Sequence, residues 1–471
     1  MKRLATASLA CLAWSGVALP ASAPVWAETT PPVSELVPPY TRVELSNGLT
    51  LLLMEHHELP LVNFELVLRS GSIADPEGKE GLTDLMMSLL RKGTRQRSAE
   101  QIAEQLDFLG GELELDASFE WCGMSAQFLA KDVGAGLELL ADLLLHPAFP
   151  ADELRKLVDL RVNRIHEAKD NPRRVIGRYY DGFLFEGHAF GRPVGGTETS
   201  LPAIKRADVQ ESYSTWVRPN NAILAVAGDF RAADMRSWIE SALGTWERRS
   251  ADLPRAAASK PVRGRKVLVV DKPDAVQTYF RIGNVGVAKG HPDTAALHVV
   301  NTVFGGRFTS WLQNELRTKS GLSYNAHSRF IERSVPGSFY ISSFTRTADT
   351  EKAVDLALEV LDRLHEKGLT QVELESARNY IRGQFPPRYE TAGRLANAMA
   401  ELEFYGLDRA HINAHTQNTD AVTLDQLSEV IRRFYPRDDL VIVLVGQADE
   451  IKKIASRYGD VEFKSVSDPG Y

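Results

Sequence analysis

Two runs far apart in the chain, AILAVAGDF at residues 222–230 and DLVIVLVGQ at residues 439–447, share one pattern. Each follows a charged or polar turn, is almost continuously apolar, and leads into a helical stretch. Upstream of them a second pair repeats the correspondence. NFELVLRSGS, a strand running into a glycine turn and a helix, is echoed by YFRIGNVGVAKGHPDTAALHVVNTVFGG. A chain that writes the same strand and helix order twice folds as two similar halves. Strands grouped with long helices make each half α+β, a mostly antiparallel sheet covered by helices. Between the halves, residues 250–265 (SADLPRAAASKPVRGR) have the proline, alanine and basic content of a linker. With 471 residues, 44% of them hydrophobic, both halves can bury a full core.

The chain opens with Lys2 and Arg3, a continuous apolar stretch, and small residues around Val25-Trp26-Ala27. This is the layout of a secretory signal peptide over residues 1–27, cleaved after Ala27 and leaving a periplasmic or secreted protein. Residues 28–40, rich in proline, read as an extended leader. The first folded half is then expected over 41–249 and the second over 266–471. Once the signal is removed, Cys122 is the sole cysteine, which excludes an intramolecular disulfide. Net charge is -7, with no basic stripe of the kind that binds nucleic acid. No later apolar run is long enough to span a bilayer.

In the first half, Asn47-Gly48 between apolar runs predicts a hairpin, and Asn63 to Arg69 a further strand. Glu55, His56, His57 and Glu58 are metal-capable residue types, but neighbours at a strand exit point in different directions. A solvated loop is the expectation. Ser98 followed by Gln101 forms a capping box for a helix ending at Gly110-Gly111. Alternation from Leu113 to Trp121 then predicts a half-buried strand, and helices follow over roughly 132–145 and 151–169.

Residues Gly81 to Thr94, GLTDLMMSLLRKGT, place Leu82, Leu85, Met86, Leu89 and Leu90 on one helical stripe, with Asp84 and Ser88 on another face. This segment, flanked by Gly-Lys-Glu-Gly and Lys-Gly-Thr, resembles the active-site helix of the pitrilysin/insulinase family of zinc metallopeptidases. That family writes His-x-x-Glu-His here, two imidazoles one turn apart sharing a zinc ion and a glutamate taking a proton from the metal-bound water. The corresponding positions in this chain are Asp84, Met87 and Ser88. Serine is a poor zinc ligand and a thioether takes up no proton at neutral pH, so the helix reads as metal-free. The family's third ligand is a glutamate on the helix ending at Asp170-Asn171-Pro172, which counting back puts near Asn163 or Arg164. Neither is a carboxylate.

The resemblance continues through His188-Ala189-Phe190-Gly191-Arg192-Pro193 and Arg218-Pro219-Asn220-Asn221 and extends over essentially the whole mature chain, implying two halves facing each other as a clamshell. His188 is read as part of a structural loop. His411 and His415, one turn apart, are expected on an ordinary helix surface.

The most informative stretch of the second half is residues 305–324, GGRFTSWLQNELRTKSGLSY. It resembles the family's glycine turn, helix and Glu-Leu-Arg…Gly-Leu-x-Tyr segment, in which Arg317 and Tyr324 match a substrate-facing pair and Gly305 and Gly306 adjoin the bound substrate. A guanidinium and a phenol can both donate to a carbonyl oxygen gaining negative charge. Without the Lys-Ser/Thr ending of a phosphate loop, Gly305-Gly306 does not read as a nucleotide cradle.

The resemblance therefore implies a divided function. In some bacterial members two chains share one site, one bringing zinc and base, the other the Arg/Tyr pair. This chain fits the second role, with no cofactor of its own, zinc in a homologous partner carrying His-x-x-Glu-His, and a peptide as substrate. Alone it is expected to be inactive. The alternative is a clamshell scaffold or peptide-binding protein without catalysis.

Overall fold

The computed structural model describes residues 35–249 and 252–470. The expected signal peptide and most of the leader lie outside the described residues. Two six-stranded sheets organise the chain. The first contains β1 (Thr41–Glu44), β2 (Thr50–Glu55), β3 (Leu61–Leu68), β4 (Glu112–Ala117), β5 (Cys122–Leu129) and β6 (Ala222–Gly228), in the order β1-β2-β6-β3-β5-β4. The second contains β7 (Arg265–Asp271), β8 (Gln277–Val285), β9 (Ala326–Ile331), β10 (Ser338–Arg346), β11 (Leu440–Gly446) and β12 (Asp460–Ser465), in the order β12-β7-β11-β8-β10-β9.

Five strands correspond one for one, and the repeated apolar runs are β6 and β11, at the same place in each sheet. Only the edge differs. In the first sheet β1 precedes β2 and joins it antiparallel through the Asn47-Gly48 hairpin, whereas β12 comes at the end of the chain and runs parallel to β7.

The two repeats are continuously apolar because both faces of each sheet are buried. In β11, Leu440, Ile442 and Leu444 join one core while Val441, Val443 and Val445 join another. In β6, Ile223, Ala225 and Ala227 face one core and Leu224 and Val226 the other. One covering layer for each sheet is contributed by the opposite half. The Pro172–Leu184 helix lies on β8 and β11, inserting Val175, Ile176, Tyr179 and Tyr180. The Ala392–Tyr405 helix lies on β3 and β6, inserting Leu395, Ala396 and Met399.

Gly283 of β8 makes room for this exchange. A Cβ there would stand 2.5 Å from the Tyr180 hydroxyl and 1.9 Å from the Phe339 carbonyl oxygen. With glycine in place, Tyr180 donates to that carbonyl at 2.7 Å.

Two expectations shift. Alternation from Leu113 to Trp121 predicted one long strand, but β4 stops at Ala117, and a turn closed by the Ser118 amide on the Trp121 carbonyl (2.7 Å) follows. The end of the leader is also more than a tether. Val37 is fully buried, and its amide and carbonyl are both held by the Asn413 side chain.

Candidate functional site

Leucine spacing forms the Leu82–Leu90 helix, which buries Leu82, Leu85, Met86, Leu89 and Leu90 as the pattern dictates. Met87 is buried as well, 1% exposed, so the position matching the family's general base is filled by packing. Asp84 and Ser88, one turn apart, share a partner from the neighbouring Ala151–Lys169 helix. Nη2 of Arg161 lies 2.8 Å from Oδ2 of Asp84 and 2.9 Å from Oγ of Ser88. A guanidinium thus joins the two side chains at the positions where the family places its zinc-binding imidazoles.

Arg161 is the residue of that helix that contacts the motif, and Arg164, one of the two positions reached by counting along the sequence, also acts on Asp84. The signal was there in principle, since a buried aspartate demands a cation. Burial raises the Asp84 pKa, and the nearby Arg161 and Arg164 oppose that rise. Glu65 of β3 is pushed up to about 7, mainly by burial, although Ser125 donates to it at 2.7 Å.

These residues do not fit zinc. One carboxylate already engaged by a guanidinium, one hydroxyl and a thioether supply neither three good ligands nor a base. Among the described residues there is no group of three or more His, Cys, Asp or Glu arranged to hold a metal. His57, in the cluster at the exit of β2, bonds Asp229 at 2.7 Å on the surface. His188 caps the Phe190 amide and bonds the Ala257 carbonyl, a loop-holding role.

In the second half, Gly305 and Gly306 end the π-helical turn Thr302–Gly306. A Cβ on Gly305 would fall 2.3 Å from Ser328 Oγ and 2.5 Å from its amide nitrogen, so glycine lets this turn press against β9. Both glycines also border a large cavity. Ser310 caps the next helix, Trp311–Gln313, which widens into a π turn over Asn314–Lys319 carrying Arg317.

Glu315, the nearest acidic residue in sequence, is committed to Arg363 at 2.7 Å and Lys319 at 2.9 Å. Arg317 instead lies over two rings, its guanidinium carbon 4.6 Å from the centroids of both Tyr324 and Phe308. Among the described residues it makes no ion pair. Tyr324 is 73% exposed and Phe308 68%. The Tyr324 loop is fastened from β10, where Ser343 Oγ donates to the Asn325 carbonyl at 2.9 Å and Thr345 Oγ1 to the Leu322 carbonyl at 2.7 Å.

Sequence reasoning paired Arg317 with Tyr324 but missed Phe308. An aromatic next to a glycine turn was the available signal. It also put His415 on a helix surface. His415 is in fact buried, stacked on Phe385 and 3.0 Å from His298.

Comparison with known proteins is consistent along the chain. Residues 51–198 match the family described as Insulinase (Peptidase family M16), and residues 203–381 match the Peptidase M16 inactive domain. A Bacillus subtilis protein described as uncharacterized zinc protease YmxG is 22% identical over 400 residues, 84% of this chain and 96% of its own length. A Helicobacter pylori protein described as non-peptidase homolog YmxG is 23% identical over 403 residues, 84% of this chain and 92% of its own. The crystal structure of a peptidase M16 inactive domain from Pseudomonas fluorescens aligns with a TM-score of 0.82 at 22% identity, covering 87% of this chain and 98% of that one.

Proposed function

The chain belongs to the peptidase M16 (insulinase) family, and from that premise we propose that it is the zinc-free subunit of a two-chain periplasmic metallopeptidase. A homologous partner carrying His-x-x-Glu-His brings zinc and the general base. This chain brings Arg317 and Tyr324, which bind the peptide and donate to the scissile carbonyl oxygen as it gains charge.

The observation that carries the reading is the state of Arg317. Its guanidinium is oriented by two exposed rings and, among the described residues, committed to no carboxylate, so its donors remain available for a substrate oxygen. The first half supports the same division, because Arg161 bridges Asp84 and Ser88 and Met87 offers no base. Among the described residues no helix is long and apolar enough to cross a membrane.

The test is reconstitution on a mixed peptide library. This chain alone, the zinc-motif homologue from the same genome alone, and the two mixed are compared at equal concentration. Hydrolysis is expected from the mixture and from neither chain by itself. A partner equally active without this chain would overturn the proposal in favour of a scaffold.

A further inference from the structure

A cavity of about 1020 Å³ lies beside β9 in the second half. Its charge is one-sided: Arg173, Arg281, Arg307, Arg329, Arg388 and Lys289 line it, against the carboxylates of Glu332 and Glu401. Glu401 is taken by Lys289 at 2.7 Å. Among the described residues none of the five arginines makes an ion pair.

They converge from separate elements: the start of the Pro172–Leu184 helix, β8, the residue after the Gly305-Gly306 turn, β9, and the short turn Pro386–Tyr389. Arg281 is stacked on Tyr340, 4.2 Å from the ring centroid, and its Nε is buried without a hydrogen-bond partner. Arg307 is held by Ser376 Oγ at 2.9 Å, and its Nε is likewise buried and unpartnered.

Unneutralised guanidinium groups around one concave space focus a positive field into it. His327 of β9 registers that field. Burial, reinforced by Arg329, Arg281 and Arg173, holds its imidazole down to about 4. His298 is held to about 4 and His415 to about 3, chiefly by burial, so near neutral pH the arginines set the charge of the cavity. The cavity also adjoins the Arg317 cluster, because Phe308 lines it and stacks on Arg317.

We propose that this cavity is an acid-selecting subsite, taking the Asp and Glu side chains of a peptide segment that flanks the bond presented to Arg317 and Tyr324. The proposal rests on the peptide-binding role above and adds the class of peptide. Guanidinium forks match carboxylates in pairs of parallel hydrogen bonds, which a neutral amide cannot reproduce. A space this size receives several side chains; pockets of roughly 300–1,000 Å³ already enclose a drug-sized ligand. A polyanion such as nucleic acid is the poorer match, since the whole chain carries a net charge of -7 and would repel it outside the cavity.

The test is fluorescence anisotropy on the full chain without its partner. The probes are a labelled peptide rich in Asp and Glu, the same peptide with Asn and Gln, and inorganic tripolyphosphate as competitor. The acidic peptide is expected to bind about tenfold or more tighter than its amide counterpart and to weaken as salt rises. Arg329 and Arg388 are exposed, so the double variant Arg329→Gln/Arg388→Gln keeps the fold and is expected to lose about tenfold in acidic-peptide affinity alone. Arg281→Gln, with folding checked by thermal unfolding, is expected to lose as much.

Equal binding of acidic and amide peptides, or binding of tripolyphosphate but not of the acidic peptide, would overturn the proposal. Because the partner is absent, loss of the composite activity leaves this result standing. Conversely, a cavity indifferent to charge leaves hydrolysis of neutral peptides by the mixture untouched.

Discussion

Arg161 in the first half lies against Asp84 and Ser88, its charge answered from within the chain. Arg317 in the second half occupies a turn in an otherwise corresponding arrangement of strands and helices, yet among the described residues only aromatic rings hold its guanidinium. The same contrast extends around each residue. Asp116 adds to the rise that burial produces at both Glu65 and Asp84, whereas the cavity of the second half gathers arginines that, among the described residues, make no ion pair. A duplicated fold can thus close one site by pairing its charges internally and keep the other open by leaving them unpaired. Charge left unpaired in a folded chain is costly, and the cost is offset when a ligand supplies the counter-charge.

The largest expected effect breaks the closed side. Arg161→Ala leaves the half-buried Asp84, whose Oδ2 is enclosed, without its ion-pair partner and is expected to cost about 3 kcal/mol in urea unfolding. Adding Asp84→Leu should return most of that, since removing both members of a buried pair is often close to neutral. If the single variant is as stable as the native chain, Arg161 is not what closes the site.

Glu65→Gln sharpens the same side through pH. The folded Glu65 carboxyl titrates at about 7 against an ordinary value of 4.5. Below 4.5 it is protonated in both states and costs nothing. As pH rises through 7, the unfolded chain ionises more readily, and native stability is progressively lost. Relative to the native protein, Glu65→Gln should therefore be nearly neutral at acid pH and more stable by about 3 kcal/mol above pH 8. A difference independent of pH would show that Glu65 is not held neutral.

Smaller still is the effect of Tyr180→Phe, which leaves the buried Phe339 carbonyl without its donor and is expected to cost about 1–2 kcal/mol. Because Tyr180 comes from the first half and Phe339 from the second, this loss should appear in a single unfolding transition shared by both halves. Two separated transitions would show that the exchanged helices do not couple them.

Most of the architecture was legible because it is local. The 222–230 and 439–447 runs announce the strand repeated in each half, and Asn47-Gly48, Ser98 and Gln101 fix turns and caps by their own chemistry. The helix exchange was not, because the amphipathic pattern of Pro172–Leu184 says that a face is buried without saying which sheet buries it. The site divides the same way. The absence of His-x-x-Glu-His is written directly in Asp84, Met87 and Ser88, but Arg161 is one of several arginines on its helix, and only packing selects it. Phe308 and the buried His298–His415 pair likewise depend on segments remote in sequence coming together.

The measurement that bears most directly on the open side uses the reconstituted pair, with Arg317→Ala and Tyr324→Phe introduced into this chain alone. Each is expected to lower kcat/KM of the mixture by about a hundredfold or more, the usual worth of a transition-state donor, while both still bind the partner as tightly as the native chain. Unchanged kcat/KM in both variants would contradict the account, leaving Arg317 and Tyr324 as surface structure and the partner as the whole enzyme.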